Sequence, residues 1–485
     1  MKRVKVIVGC QWGDEGKGAE IDRCAEEADL VCRCAGGNNA GHTIVHQGEE
    51  MVLHLIPSSI TKGKKVGIGA GVSVDPLSLI NEILYVRSFG IEPVGRLVVD
   101  QRAIMNMIWH RAMDMAKEII KSRGGRAIGT TAKGIGPSYA DQASRDGLRV
   151  GDLTDPEGLI KLIRQQMREK EEMFRGMGLS VAEWKNIFES LAAKEIQANS
   201  RLLKSGTIKE SELDYRRFAA DGEVTDFAHD EIINAYLKAA ELISQWNLIG
   251  DVSDLVHQAV TRGKNVLVEG AQGCHLDNYY GTFPYVTSSC TLAGGACGGL
   301  GIGPTLIGEV RGIAKAYTTR VGNGPFPTRM DKETAERIRG NGQAIGDEFG
   351  ATTRRPRDCG WFDAVLVRSA CRWNGVTCLT LTKLDKLSGL EKIQVGLDWI
   401  SPDGKHHLFV PARGRFDGKS EFLVNYAFMP GWQEDITSVK QWDDLPENAR
   451  KYVEALEKTI NHCATEKTRI DRVGVGPGPS QVVTR

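Results

Sequence analysis

The chain has 485 residues, 41% of them hydrophobic and 26% charged, which suffices for a large buried core and excludes a disordered polypeptide. Lys plus Arg and Asp plus Glu both total 62, so no overall basic field exists to draw in nucleic acid or an anionic membrane, and any anion site must be local. The 11 cysteines form no C-x-x-C pair, which excludes a disulfide framework or zinc knuckle and reads as reduced thiols.

The first residues reach a glycine-rich loop after only a few apolar positions, too few for a signal-peptide core, and no run of about 18 apolar residues follows. This predicts a soluble, cytoplasmic protein with no membrane partner. Val4–Gly9 reads as a Val/Ile strand followed by Gly13-Asp14-Glu15-Gly16-Lys17-Gly18, and 30–34 as a second strand ending at Gly36-Gly37-Asn38-Asn39. Strand, glycine loop, helix and strand form an α/β pattern. Residues 65–68, 265–269 and 376–381 are further strand candidates, and 363–374 has the helical spacing that would cover a parallel sheet. The expected fold is α/β, a large, mostly parallel central sheet with flanking helices. From about 155 to 245 the texture becomes charged, amphipathic and poor in glycine, which predicts an inserted helical lobe. With no repeat or Pro/Ser-rich linker, 1–485 reads as a single domain onto which the lobe packs.

Glycines 13, 16 and 18 let the backbone approach phosphate oxygens, the next helix offers unpaired N–H groups, and Lys17 adds a point charge. A Walker A loop needs glycine five residues before its Gly-Lys pair and a hydroxyl after it, whereas Gln11 and Gly18 hold those places. Asp14 then becomes the candidate metal ligand or base, against the alternative of a turn whose acids cap the helix. The second loop ends in Gly41-His42-Thr43, and the small residues before His42 give it little to pack on, which favours a reactive role over a structural one. Ala351-Thr352-Thr353-Arg354-Arg355-Pro356-Arg357 gathers hydroxyls and guanidiniums suited to carboxylates and phosphates, the bland alternative being a solvated basic loop. Thr382-Lys383-Leu384-Asp385 follows the strand at 376–381, and a carboxylate there can accept from both N1–H and the 2-amino group of guanine. Adenine lacks that donor pair, so Asp385 would select GTP over ATP.

Together these motifs resemble one family, the adenylosuccinate synthetases, from 4 to about 476. Gly129-Thr130-Thr131, Glu269-Gly270-Ala271-Gln272-Gly273, Pro284-Tyr285-Val286-Thr287 and Arg320-Val321-Gly322 carry the resemblance beside the loops above. It implies a Mg2+- and GTP-dependent ligase that joins L-aspartate to IMP through a 6-phosphoryl intermediate, giving adenylosuccinate, GDP and phosphate. It further implies that Asp14 takes the N1 proton of IMP and, with the Gly41 carbonyl, ligates Mg2+. His42 would assist the leaving β-phosphate oxygen, with Gln272 completing the catalytic set. Glu15, Gly16, Lys17, Gly18, Gly41, His42 and Thr43 would hold GTP phosphates, and Lys383 and Asp385 the guanine, near Gly474, Gly476 and Pro477. IMP would lie against Asn39, Thr131, Gln272, Leu276, Thr287, Val321 and Arg355, with Arg145 reaching its 5′-phosphate from the other subunit of a homodimer. Aspartate would sit on Thr352, Thr353 and Arg355, and Arg357 would reach the nucleotide.

Some positions depart from the family pattern: Lys133 stands for Arg, Arg354 for a loop Gly, Arg329 for an acid and Gly474 for a Ser, while Pro356 and Asp358 interrupt an Arg run. Two other functions are weighed. A viral-type relative acting on dGMP replaces the catalytic acid with a smaller residue, whereas Asp14 is present here. A non-catalytic GTP-binding switch would not need Asp14, His42, Gln272 and Thr287 together.

Overall fold

Val4, Val6 and Val8 on one face and Ile7 on the other are buried, with Lys5 near the strand's start part-exposed, as suits a strand covered from two sides, and this strand forms the centre of the molecule. The computed structural model describes residues 4–46, 48–125, 129–220, 226–344, 346–350, 355–416, 422–464, 466–478 and 480–485. In chain order the main sheet contains β1 (Val4–Gly9), β2 (Leu30–Arg33), β3 (Lys65–Ile68), β4 (Leu97–Asp100), β5 (Ile249–Gly250), β6 (Val266–Glu269), β7 (Ile307–Lys315), β8 (Cys378–Thr382), β9 (Arg469–Gly474) and β10 (Val482–Thr484). Their spatial order is β10-β9-β8-β7-β1-β6-β2-β3-β4-β5, and only the β9/β10 pair is antiparallel. The expected parallel α/β architecture is the one observed.

The chain first builds β1 to β4 outward on one side, then returns to insert β6 between β1 and β2 before laying β7, β8 and β9 on the other side. Direction of growth therefore reverses around β1, and a sheet with such a switch point opens a crevice beyond the carboxyl ends of its strands. The strands read at 4–9 and 65–68 have the expected ends, and the other three differ from the sequence reading by one or two residues. The strand read from 376 starts at Cys378, because Gly375 in the left-handed region ends the preceding helix and Val376 N–H still donates to the Cys371 carbonyl. That helix, Ala364–Asn374, begins where the Asp363 carboxylate accepts the N–H groups of Val365 and Leu366.

Between β4 and β5 the chain is helical, with Ile108–Arg123, Ile135–Ser144, Pro156–Gly176, Val181–Ala198 and His229–Gln245 the longer helices. Helix begins at Ile108, ahead of the charged texture, and its first turns are buried, with His110 and Arg111 met there by Asp141 and Glu195. The inner face of this region packs Phe174, Trp184, Phe188 and Phe227 with ring centroids 4.5 to 6.4 Å apart. These rings belong to the same buried cluster as Ile7, Val31 and Val66 of the sheet.

A shared core predicts shared unfolding. Trp184→Ala should cost about 3–5 kcal/mol, the usual range for emptying a buried aromatic site. Urea denaturation followed by circular dichroism should stay a single transition at a lower midpoint. An early transition limited to helical signal would instead show that the lobe unfolds by itself.

Candidate active site at the carboxyl ends of the strands

A cleft of about 1080 Å³ opens over the carboxyl ends of β1, β2, β6, β7, β8 and β9. Asp14, Gly16, Lys17, Gly18, Asn39, Gly41, His42, Thr43, Thr131, Gln272, Leu276, Thr287, Val321, Arg355, Arg357, Lys383, Gly474, Gly476 and Pro477 all line it. Residues from remote parts of the chain thus meet in one space. Thr352, Thr353 and Arg354 lie outside the described residues. Arg145 is exposed at the end of helix Ile135–Ser144 and is not among the lining residues of its own chain's cleft.

Glu15 does not face the cleft. Its fully buried carboxylate accepts the N–H groups of Gln11 and Gly13 at 3.1 and 2.8 Å and pairs with Lys17 at 2.8 Å. It shapes the first loop from within, and any phosphate contact of Glu15 must come from its main chain. The loop interlocks with the one after β6: a Cβ at Gly273 would stand 2.3 Å from Gly13 N and 2.4 Å from Gln11 O. Seven described non-glycine residues have positive φ, and Asp14, Ala132, Arg145, Gln272 and Lys383 are five of them. Such backbone costs about 1–2 kcal/mol per residue, so strain is concentrated at the positions singled out for chemistry or beside them.

His42 is buried, and its Nδ1 stands against the carboxylate of fully buried Glu269, which also accepts Ser58 N–H and O–H at 3.1 Å each. Burial pushes the Glu269 carboxyl up, but His42 and Arg33 outweigh it and hold the group below the ordinary range. A carboxylate on one ring nitrogen fixes the imidazole's orientation and leaves Nε2 for other work. Gln272 Nε2 donates to Asn39 Oδ1 at 3.2 Å, while its buried Oε1 has no protein partner.

Asp14 Oδ2 accepts from Arg357 Nε at 2.8 Å, and Arg357 Nη1 reaches Glu348 at 2.6 Å. Glu348, fully buried, also takes Lys315 Nζ at 2.9 Å, Lys383 Nζ at 2.6 Å and the Tyr317 hydroxyl at 2.5 Å. Burial opposes its charge, yet Lys315, Lys383 and Arg357 hold it well below the carboxylate range. Burial also pushes Lys315 down to about 8, against the raising influence of Glu348. Neither Glu348 nor Lys315 was singled out in the sequence, since each is a lone charge whose partners lie far along the chain.

Asp385 sits just past Lys383 at the end of β8, with burial raising its carboxyl and with Oδ1 buried and unpartnered. An orphaned buried acceptor suits a donor supplied by a ligand. Two of the departures noted in the sequence meet in the fold: Arg329 pairs with Asp358 at 2.8 Å in an exposed contact. Lys133 pairs with Glu195 of helix Val181–Ala198 at 3.2 Å.

The family model of adenylosuccinate synthetase matches residues 6–210 and 206–483. Adenylosuccinate synthetase of Desulfatibacillum aliphaticivorans is 41% identical over 479 residues, covering 99% of this chain and 97% of the relative. That of Syntrophus aciditrophicus is 43% identical over 454 residues, with 93% of each chain covered. A solved structure of fully ligated adenylosuccinate synthetase from Plasmodium falciparum superposes with TM-score 0.82 at 32% identity over 100% of both chains. The cyanophage S-2L succinoaminodeoxyadenylate synthetase, bound to dGMP and dATP, reaches TM-score 0.55 at 17% identity and shares the fold.

Glu269 and Glu348 both carry folded-state values below the ordinary 4.5, so their stabilisation is present above that value and is lost as pH falls through the folded values. The urea midpoint should therefore drop on acidification below about pH 4.5. Glu269→Gln should be less stable at neutral pH and show a shallower acid drop. Parallel pH profiles for the variant and the unmutated protein would contradict the depressed value.

Proposed function

Because the chain belongs to the adenylosuccinate synthetase family, we propose that its cleft residues divide the work of the family's reaction as follows. The protein is a ligase that uses GTP to join L-aspartate to IMP. Asp14, strained and partly open to the cleft, takes the N1 proton of IMP. The 6-oxygen then gains the electron density to attack the γ-phosphoryl group, and the bond to the β-phosphate oxygen breaks. His42, steadied at Nδ1 by Glu269, gives a proton from Nε2 to that leaving oxygen. The amine of aspartate next adds at C6 and expels phosphate, leaving adenylosuccinate.

Lys17 and the amides at Gly16, Gly18, Gly41 and Thr43 cradle the GTP phosphates. Lys383 and Asp385 receive the guanine near Gly474, Gly476 and Pro477, and Asn39, Thr131, Gln272, Leu276, Thr287, Val321 and Arg355 surround IMP. Thr352, Thr353 and Arg355 take the aspartate carboxylates. Asp14 has one oxygen engaged by Arg357 and 37% of its side chain exposed, which with the Gly41 carbonyl suits an ion that completes its shell with phosphate oxygens. Mg2+ bound there would neutralise charge on the transferring phosphoryl group. Among the described residues no helix is long and apolar enough to cross a membrane, and we place the protein in the cytoplasm.

The observation that carries this reading is the convergence of Asp14, His42 with Glu269, and Lys383 on one cleft. Incubation with GTP, Mg2+, aspartate and either IMP or dGMP tests it by product absorbance and GDP release. IMP should be consumed. Turnover of dGMP but not IMP would replace the reading with the deoxynucleotide one. Asp14→Asn and His42→Asn should each reduce turnover by at least ~10²-fold with the fold intact.

We propose further that the working unit is a homodimer in which Arg145 serves the other subunit's IMP. A two-fold interface is self-complementary, so each chain lends and receives one arginine. Arg145→Leu and Asp14→Ala, both nearly inactive alone, should recover about a quarter of full activity after mixing and subunit exchange, since half the dimers are hybrids with one complete site. No recovery despite demonstrated exchange would place Arg145 in service of its own chain.

A further inference from the structure

Glu348 is saturated. Oε1 accepts from Tyr317 and Lys383, and Oε2 from Lys315 and Arg357, at distances of 2.5 to 2.9 Å, which uses the lone-pair positions of a carboxylate. No capacity is left for substrate or metal, so its influence must pass through the groups it holds. Those groups come from three places. Lys315 ends β7, Lys383 follows β8, and Arg357 donates from Nε to Asp14. The Glu348 main-chain carbonyl accepts Arg357 N–H at 2.9 Å, so Glu348 also closes the stem of the loop that carries Arg355.

We propose that Glu348 is a positioning residue that ties nucleotide-base recognition at Lys383 to the orientation of Asp14 through Arg357. The proposal rests on the roles given above to Lys383 and Asp14. Lys315, Lys383 and Arg357 outnumber Glu348 and Asp14 by one charge, and of these Lys383, Arg357 and Asp14 line a cleft assigned to an anionic nucleotide, with Lys315 buried behind them. Without Glu348 three cations would repel one another in a site with little water, Lys383 would leave its place under the base, and Arg357 would move toward Asp14 alone. The shared carboxylate lets three cations stand close together.

Glu348→Gln keeps the shape and removes the charge, and an amide nitrogen cannot accept from either of its two donors. In the full-length protein its kcat should fall by about 10²-fold, the scale of a small misplacement of reacting groups. The KM for GTP and the Kd for GDP measured by calorimetry should rise about tenfold, while the KM for IMP stays within about threefold. A carboxylate needed only for folding would lower the melting temperature or the active fraction and leave these constants unchanged, and that result would overturn the proposal. If the single variant does not fold, Glu348→Gln with Lys315→Met removes one unpaired cation and should show the same split between GTP and IMP. Failure of both variants to fold would also reject the role. Loss of product formation by the unmutated protein would refute the reading of the site itself, whereas normal constants for Glu348→Gln in an active enzyme would refute only the positioning role.

Discussion

Parallel pairing of β1 with β6 on one side and β7 on the other is the constraint on which the rest of the molecule depends. Both neighbours come from the far half of the chain, so the loop after Gly9 acquires its walls only when the whole sheet is assembled. Parallel strands all point their carboxyl ends the same way, and the loops after β1, β2, β6, β7, β8 and β9 meet on that side, where the loops carrying Thr131 and Arg355 join them. The cleft is therefore a consequence of strand direction and of the reversal in strand order around β1. The loops supply the chemistry, and the sheet decides that they meet.

Charge inside this frame is arranged around three buried carboxylates with separate tasks. Glu15 shapes a loop, Glu269 steadies an imidazole, and Glu348 holds three cations and a phenol. Burying such a group unpaired would cost several kcal/mol, and each is instead met by several donors. The donors are the groups that face the cleft or touch those that do. Stability and preorganisation thus draw on the same contacts, which also accounts for the strained backbone at Asp14, Gln272 and Lys383 being tolerated.

Much of this was legible in the sequence because the informative signals are local. Glycine clusters after short Val/Ile runs mark strand-to-loop transitions wherever they occur, so β1, β2, β3, β6 and β8 were found within two residues of their ends. Asp14, His42 and Lys383 sit inside such motifs. Glu348 does not stand out in Gly346-Asp347-Glu348-Phe349, because nothing local says that Lys315, Tyr317 and Arg357 will surround it. Glu269 was visible within a family-like segment, but its contact with His42 exists only once β6 lies beside β2. Helix Ile108–Arg123 lies ahead of the charged stretch read as the lobe, and its buried His110 and Arg111 find their partners, Asp141 and Glu195, only in the folded chain.

The helical region has a physical link to the cleft that its position in the sequence conceals. Glu195, fully buried on helix Val181–Ala198, receives Arg111 from helix Ile108–Arg123 and Lys133 from the loop that carries Thr131. Arg111 and Lys133 hold the Glu195 carboxyl down at about 2 despite its burial. The same loop is tied to helix Ile108–Arg123 a second time, since the Asp114 carboxylate accepts Thr130 O–H and Gly134 N–H at 2.7 and 3.1 Å. A loop of small residues held at both ends can keep Ala132 at positive φ without bulky packing of its own. The helices therefore act on the cleft by fixing the backbone around Thr131. A change in their packing would be felt at the surface assigned to IMP before it reached the loop assigned to phosphate, which is anchored separately through Glu15.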